Sequence, residues 1–350
     1  MLNRRLPEAT ARDVLSSVCW ETTDSPSIAT NLSRVETFPG AACLTKFAAV
    51  HAPRQISRDL QLRSKAAPLQ LLSAVAPCPF PREIEAPMGP QTDYHVHTPL
   101  CRHAEGTPEE FIDAAKRAGL VEIGFADHNP MPESFDDWRM NYDELPRYFD
   151  FVAEARASGF SVRLGLECDF IPGRESWIEQ LAGMAQWDYL IGSVHYLASG
   201  WDVDNPKHLF RFTEDSVESI WDRYWDLFSQ CIRSRLFDFV AHPDLPKKFG
   251  HRPKGDLRRY YEPAIQALRE TNVAFEINTA GLRKPAKELY PAQEFLELAA
   301  QAGIPLVINS DSHSPGEIGA GFEVAAARAK EAGYREVVRW AGRQRFAVEL

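Results

Sequence analysis

The chain has 350 residues, 44% of them apolar, with 39 Lys and Arg against 49 Asp and Glu for a net charge of −10. That apolar share can bury the core of one large domain or two ordinary ones. The acidic balance excludes a surface built for nucleic acid or anionic lipid, because both bind through clustered Lys and Arg. A small anionic ligand stays compatible where a local cationic site overrides the global field. The six cysteines, Cys19, Cys43, Cys78, Cys101, Cys168 and Cys231, form no CxxC pair and suggest neither a disulfide framework nor a zinc finger. No run of about 18 apolar residues offers a membrane span, and no apolar h-region marks a secretory signal. The expected compartment is the cytoplasm.

Residues 1–90 interleave Pro, Ser, Ala and Arg without a helical or strand period, as in "SSVCWETTDSPSIATNLSRVETFPGAACL". They are expected to be a disordered or loosely packed extension. They hold 10 Lys and Arg against 8 Asp and Glu, so the acidic excess belongs to the rest of the chain. Eight acidic residues also argue against a transit peptide. Met88 lies just before the first strand and is a candidate start, which would make the extension an upstream mis-start.

From about residue 91 to 350, short apolar runs alternate with amphipathic stretches. The runs are 92–97, 121–128, 161–167, 188–195, 237–242, 273–278 and 305–313, and helices are expected over 107–120, 143–158, 214–234, 256–270 and 291–302. The first helix has the clearest start, with Thr107 as N-cap, Pro108 at the first helical position and Glu110 completing a capping box. Strand-helix alternation with short links predicts a parallel α/β sheet or barrel.

Most runs end in His, Asp or Glu: His95 and His97, Asp127 and His128, Glu167, His195, His242, then Asp311 and His313. In a parallel barrel all C-terminal strand ends converge on one face, where active sites are built. Period-two geometry turns His95 and His97 to the same side, with Val96 facing the helices, and His103 can return over the same mouth from the following loop. One histidine at a strand end is more often structural than a ligand. Seven of them, with a Glu and an Asp, would be a costly clustering of groups that resist burial when unpaired. Imidazole and carboxylate donors without a required thiolate suit Zn, Mn or Fe. Nine such groups exceed what one ion can use and imply two or three divalent ions.

In this order, HxH, His103, "ADH", a central Glu, "SVH", "AHPD" and "DSH" resemble the PHP (polymerase and histidinol phosphatase) superfamily. The stretches "TPLCRHAEGT", "GSVHYL", "AHPDLPKKFGHRP" and "EINTAGLRKPAKELYP" resemble its histidinol-phosphatase branch. The resemblance implies a distorted (β/α)7 TIM-like barrel with its metal site at the C-terminal strand ends. It implies one ion on His95, His97, Glu167 and Asp311, a second on Glu167, His195 and His242, and a third on His103, His128 and His313. It also implies a phosphomonoesterase that converts L-histidinol phosphate and water to L-histidinol and phosphate in histidine biosynthesis. The nucleophile would be a metal-bridging hydroxide held among Glu167, His195 and His95, from water whose pKa two cations lower from 15.7 toward ~7.

The neighbours are open to more than one role. Asp127 and Asp244 either orient a metal-bound imidazole or make ordinary strand-end hydrogen bonds. Cys101 and Cys168 read as small buried thiols. Arg283 is the favoured phosphate ligand, because its planar fork can bind two oxygens; Lys284, Lys247, Arg252 and Arg102 are the other substrate-binding candidates. Three rival functions remain. The first is a PHP phosphoesterase acting on a nucleotide, sugar phosphate or phosphotyrosine. An amidohydrolase would want a metal-bridging Lys, which no strand end supplies. The third is a metal-binding module without turnover.

Overall fold

The computed structural model describes residues 90–350, within a unit spanning Pro79–Leu350. The extension expected over residues 1–90 and the candidate start Met88 lie, Pro90 apart, outside the described residues. In chain order the strands are β1 (Thr92–Val96), β2 (Glu122–Phe125), β3 (Ser161–Asp169), β4 (Tyr189–Ser193), β5 (Tyr196–Ala198), β6 (Trp201–Asp202), β7 (Phe239–Val240), β8 (Ala274–Asn278), β9 (Leu306–Asn309), β10 (Glu336–Ala341) and β11 (Gln344–Glu349). Seven pair in parallel in the order β1-β2-β3-β4-β7-β8-β9, while β5-β6 and β10-β11 are antiparallel hairpins. The two edges meet where the His97 amide donates to the Ser312 carbonyl at 2.8 Å and the Ser312 amide to the His95 carbonyl at 3.0 Å. The result is a nearly closed seven-stranded barrel, the α/β class and topology expected.

The helices are α1 (Pro108–Arg117), α2 (Leu145–Ala157), α3 (Glu175–Ala182), α4 (Arg211–Glu214), α5 (Val217–Ser234), α6 (Arg258–Thr271), α7 (Gln293–Gln301) and α8 (Phe322–Ala332). α1 starts where the sequence placed it. Thr107 Oγ1 accepts from the Glu110 amide at 3.3 Å, and Glu110 Oε2 accepts from the Thr107 amide at 2.8 Å. Such a cap is worth ~1 kcal/mol, and burying Phe111 and Ile112 on the inner face of α1 adds ~1.5–3 kcal/mol per side chain. Among the described residues no helix is long and apolar enough to cross a membrane.

The barrel interior is packed with Tyr94, Tyr189, Phe239 and Trp340. Tyr189 fits because β2 and β3 carry glycines there: a Cβ on Gly124 or Gly165 would come within 2.1 or 2.2 Å of its ring or hydroxyl. Trp340, its ring 4.8 Å from that of Phe239, comes from the β10-β11 hairpin. This hairpin covers the N-terminal strand ends, where Arg343 Nε lies 2.5 Å from Asp238 and the Gly342 amide donates to Asp188 at 3.1 Å. The opposite end is left for a site. The hairpin, α3 and α8 were not foreseen from the sequence, because their short apolar patterns acquire a face only against the barrel.

Several strands are shorter than expected. β2 stops at Phe125 rather than residue 128, and β7 has only two residues. The chain beyond them leaves regular pairing to aim side chains at the centre, and His242 and Asp311 adopt positive φ values of 31° and 52°. Non-glycine residues hold such strained backbone only where their surroundings impose it.

Candidate active site

Glu167 on β3 lies at the centre of the C-terminal face. Its Oε2 is 3.4 Å from His95 Nε2, 3.5 Å from His97 Nε2 and 2.8 Å from His128 Nδ1. Its Oε1 is 3.1 Å from His242 Nε2 and 3.7 Å from His195 Nε2, and accepts a hydrogen bond from Ser193 Oγ at 2.6 Å. Five imidazoles from four strand ends thus surround one carboxylate. Asp311 Oδ1 adds a second carboxylate, 3.3 Å from His97 Nε2 and 3.8 Å from His95 Nε2. The rings of His103, His128 and His313 form an outer group, with His103 stacked on His128 and His313 at centroid distances of 5.5 and 4.6 Å.

The buried polar atoms show what this cluster lacks. His95 Nε2, both ring nitrogens of His97, His128 Nδ1, Glu167 Oε2, His242 Nδ1 and His313 Nε2 have no hydrogen-bond partner. Burial without a partner costs ~1–3 kcal/mol for each such group. Burial holds His128 and His313 well below the ordinary imidazole value, and the charge on His97 adds to it. They therefore stay neutral at pH 7, with a lone pair to offer. Glu167 is held well below the usual carboxylate range: burial opposes this, but His95, His128 and His195 outweigh it. Neutral imidazoles and an ionised carboxylate are the donor states divalent cations need; His128, His313 and Glu167 have them, while His95, His97 and His195, raised against burial by the carboxylates beside them, would release protons to bound cations. Ligand atoms in each of four sets lie within 4.8 Å of one another: His95-His97-Glu167, His128-Glu167-His195, His103-His128-His313 and His97-Cys101-His313. The residues fit bound cations. Cys101, read as packing, belongs to this neighbourhood, while Cys168 is a buried thiol whose pKa burial pushes up.

Carboxylates behind the imidazoles fix their rings. Glu276 on β8 accepts from His95 Nδ1 at 2.8 Å, and Asp169 accepts from His195 Nδ1 at 2.7 Å, so both rings turn Nε2 inward. Asp169 is itself held by the buried Arg139 at 2.8 Å. Against burial, Asp169 and Glu167 raise His195 to about 10. None of Glu276, Asp169 and Arg139 was singled out from the sequence, where the run 273–278 ends in no His, Asp or Glu. One signal was available: a Glu inside the apolar run "VAFEIN" has to find partners when buried. Asp127 Oδ1 lies 3.5 Å from His97 Nδ1 and accepts from the His128 amide at 3.0 Å, so it faces the ring of His97, not that of His128.

A cavity of about 330 Å³ opens above this floor, walled by His103, His128, Glu167, His195, His242, Asp311 and His313. His95 and His97 lie beneath with no exposed surface. Of the five substrate-binding candidates, Lys284 lines the cavity, as does Lys248, which was not chosen. Arg102 is paired with Glu144 and Arg252 with Glu288, both away from that wall. Lys247 is wholly buried, its Nζ 3.2 Å from Asp244 and above the Tyr290 ring. Asp244 also accepts from the Ala292 amide at 2.7 Å, so this pair braces a loop and touches neither substrate space nor the His242 ring. Carboxylates thus claim Arg102, Arg252 and Lys247, three of the five cations expected at the substrate.

Arg283 has a different setting from the one expected. Its Nε donates to Glu317 at 3.0 Å and one Nη to the Ser310 and Asp311 carbonyls at 2.8 and 3.2 Å, while Glu317 accepts from the His313 amide at 2.9 Å. It thus clamps the loop that carries Asp311 and His313. Arg283→Met is expected to weaken zinc binding ~10-fold, the lower end for a supporting residue, with KM for a phosphomonoester little changed. Chelator competition together with steady-state kinetics checks this; a rise in KM alone at unchanged zinc affinity would return Arg283 to phosphate binding.

The PHP domain family matches residues 93–280. A probable histidinol-phosphatase of Deinococcus radiodurans is 44% identical over 249 residues, covering 70% of this chain and 95% of that protein. The histidinol-phosphatase of Bacillus subtilis is 29% identical, covering 66% of this chain and 96% of that protein. Among solved structures, histidinol phosphate phosphatase of Lactococcus lactis, complexed with zinc, L-histidinol and phosphate, superposes with a TM-score of 0.63 at 23% identity over 73% of this chain and 98% of that one.

Proposed function

The chain belongs to the PHP domain family, and from that premise we propose that it is a metal-dependent histidinol-phosphatase, releasing phosphate from L-histidinol phosphate in histidine biosynthesis. One observation carries the metal chemistry: a buried carboxylate, Glu167, ringed by five imidazoles with unpartnered nitrogens among them, on the floor of a cavity that two lysines enter. The 44% identity to the D. radiodurans relative supports the substrate. His95, His97, Glu167 and Asp311 would hold one ion, Glu167, His195 and His242 a second, and His103, His128 and His313 a third. Such ions, zinc, manganese or iron, supply Lewis acidity that lowers the pKa of water and offsets phosphoryl charge.

The chain's own groups do the rest. Glu276 and Asp169 hold the His95 and His195 rings in one tautomer, with Nε2 inward. Lys248 and Lys284 bring positive charge to the cavity, where a phosphoryl oxygen needs it. Tyr290, on the same wall, is kept protonated by burial and nearby carboxylates and stays a hydrogen-bond donor. No Ser or Cys nucleophile elbow is present in the sequence, which disfavours a covalent phospho-enzyme and supports water as the attacking group.

Phosphate release from L-histidinol phosphate, measured beside nucleotide, sugar and phenyl monoesters with and without chelator, tests the proposal. Histidinol phosphate should be the best substrate, and activity should vanish with chelator and return with added zinc or manganese. Better turnover of another monoester would overturn the substrate, and chelator-insensitive turnover the metal chemistry.

A further inference from the structure

The β10-β11 hairpin closes the barrel floor, and β11 is its outer strand. Gly342 and Arg343 turn the hairpin with φ values of 55° and 64°, both left-handed, so that Ala341 and Gln344 close a two-residue loop. In such a loop the closing residues form a hydrogen-bonded pair, and pairs of that kind recur at every second residue. Gln344, Phe346 and Val348 therefore bond to β10, and the Leu350 amide continues the series by donating to the Arg335 carbonyl at 2.9 Å. Arg345, Ala347 and Glu349 turn their N–H and C=O groups outward. Among the described residues no strand pairs with that edge.

An open edge invites another strand unless proline, a bulge or charge blunts it. β11 keeps one register with β10 along all six residues, holds no proline and leaves Phe346 half exposed. Its charges lack opposites. Arg345 donates to Asn272 alone among the described residues, at 2.8 and 3.0 Å. Glu349 faces Glu336 across the hairpin, a like-charge pair that costs stability, and no cation among the described residues forms an ion pair with either.

We infer that β11 pairs antiparallel with β11 of a second copy of this chain, about a two-fold axis at Ala347, so that the two hairpins form one four-stranded sheet. With the axis there, the outward groups of residues 345, 347 and 349 meet their counterparts as hydrogen-bonded pairs. Arg345 then lies opposite the partner's Glu349, and Glu349 opposite the partner's Arg345. Phe346 meets the partner's Val348 in the closer pairing between them, which covers both side chains. Other axes fail on charge. One at Arg345 or Glu349 sets like charges together, and one at Phe346 or Val348 sets a charge against Ala347. A recess of about 480 Å³ beside Arg345 and Ala347, walled also by Ile304, Pro305, Glu336 and Val338, leaves room for the partner's side chains on that face. The histidine-lined cavity lies at the opposite strand ends and stays open.

Sedimentation equilibrium of the full chain, with hydrogen exchange at the β11 amides, tests the pairing. The wild type should be a dimer, and Arg345→Glu and Glu349→Arg should each raise its dissociation constant ~10-fold or more, because like charges then meet twice across the axis. Combining the two substitutions in one chain should restore most of the affinity, which a strand that had merely lost its fold would not do. The Ala347 and Glu349 amides should exchange slowly in the dimer and ~10-fold faster in either single variant. A dimer indifferent to both reversals, or a combined variant as weak as the single ones, would overturn the pairing. So would a monomeric wild type, in which slow exchange at Ala347 would show the edge covered from within the chain.

Discussion

Glu167→Gln is expected to lower kcat roughly 1,000-fold, or ~4 kcal/mol of transition-state stabilisation. Both oxygens of this carboxylate are engaged, one towards His95, His97 and His128, the other towards His195, His242 and Ser193. The amide removes the negative charge that holds cations between these imidazoles and turns an N–H group toward one side of the cluster. Phosphate release measured with metal content per chain would show both losses together. A variant with full metal content and near-normal kcat would remove Glu167 from the centre.

The second large effect is expected one layer further out, at Glu276→Gln. Oε1 accepts from His95 Nδ1 and from Asn309 Nδ2, both at 2.8 Å; Oε2 accepts from the His242 amide at 3.0 Å and Asn278 Nδ2 at 2.9 Å. All four partners are donors. Whichever way a glutamine turns, its NH2 faces two of them, so the His95 ring or the His242 backbone loses its anchor. Losses of this kind cost about 10–100-fold in metal affinity or activity, with ~1–3 kcal/mol of stability for each buried donor left unmet. Zinc competition, steady-state kinetics and a melting curve of the metal-free protein check the three parts. A variant with unchanged zinc affinity would show that His95 is held by the strand alone.

The His, Glu and Asp residues that gather around the cavity could be found from their positions alone, and the reason is geometric. Parallel strands separated by helices must bring their C-terminal ends to one face, so polar groups at those ends meet however far apart they lie in the chain. The start of α1 was equally readable, because Thr107, Pro108 and Glu110 satisfy one another within four residues. Partners were not readable. The carboxylate held by Lys247 is three residues away, but those held by Arg102 and Arg252 are 42 and 36 residues distant, and each pairing removed a cation expected at the substrate. Glu276 gave only a faint signal, since a buried carboxylate declares a need for partners without naming them.

Motif order and strand period therefore carried the class of fold and the gathering of donor groups. The assignment of charges to the cavity or to the scaffold and the closure of the barrel floor by Trp340 came from tertiary contacts. Local geometry repeats at every strand and can be read from spacing, whereas a charge is satisfied by whichever opposite group the folded chain brings within about 4 Å.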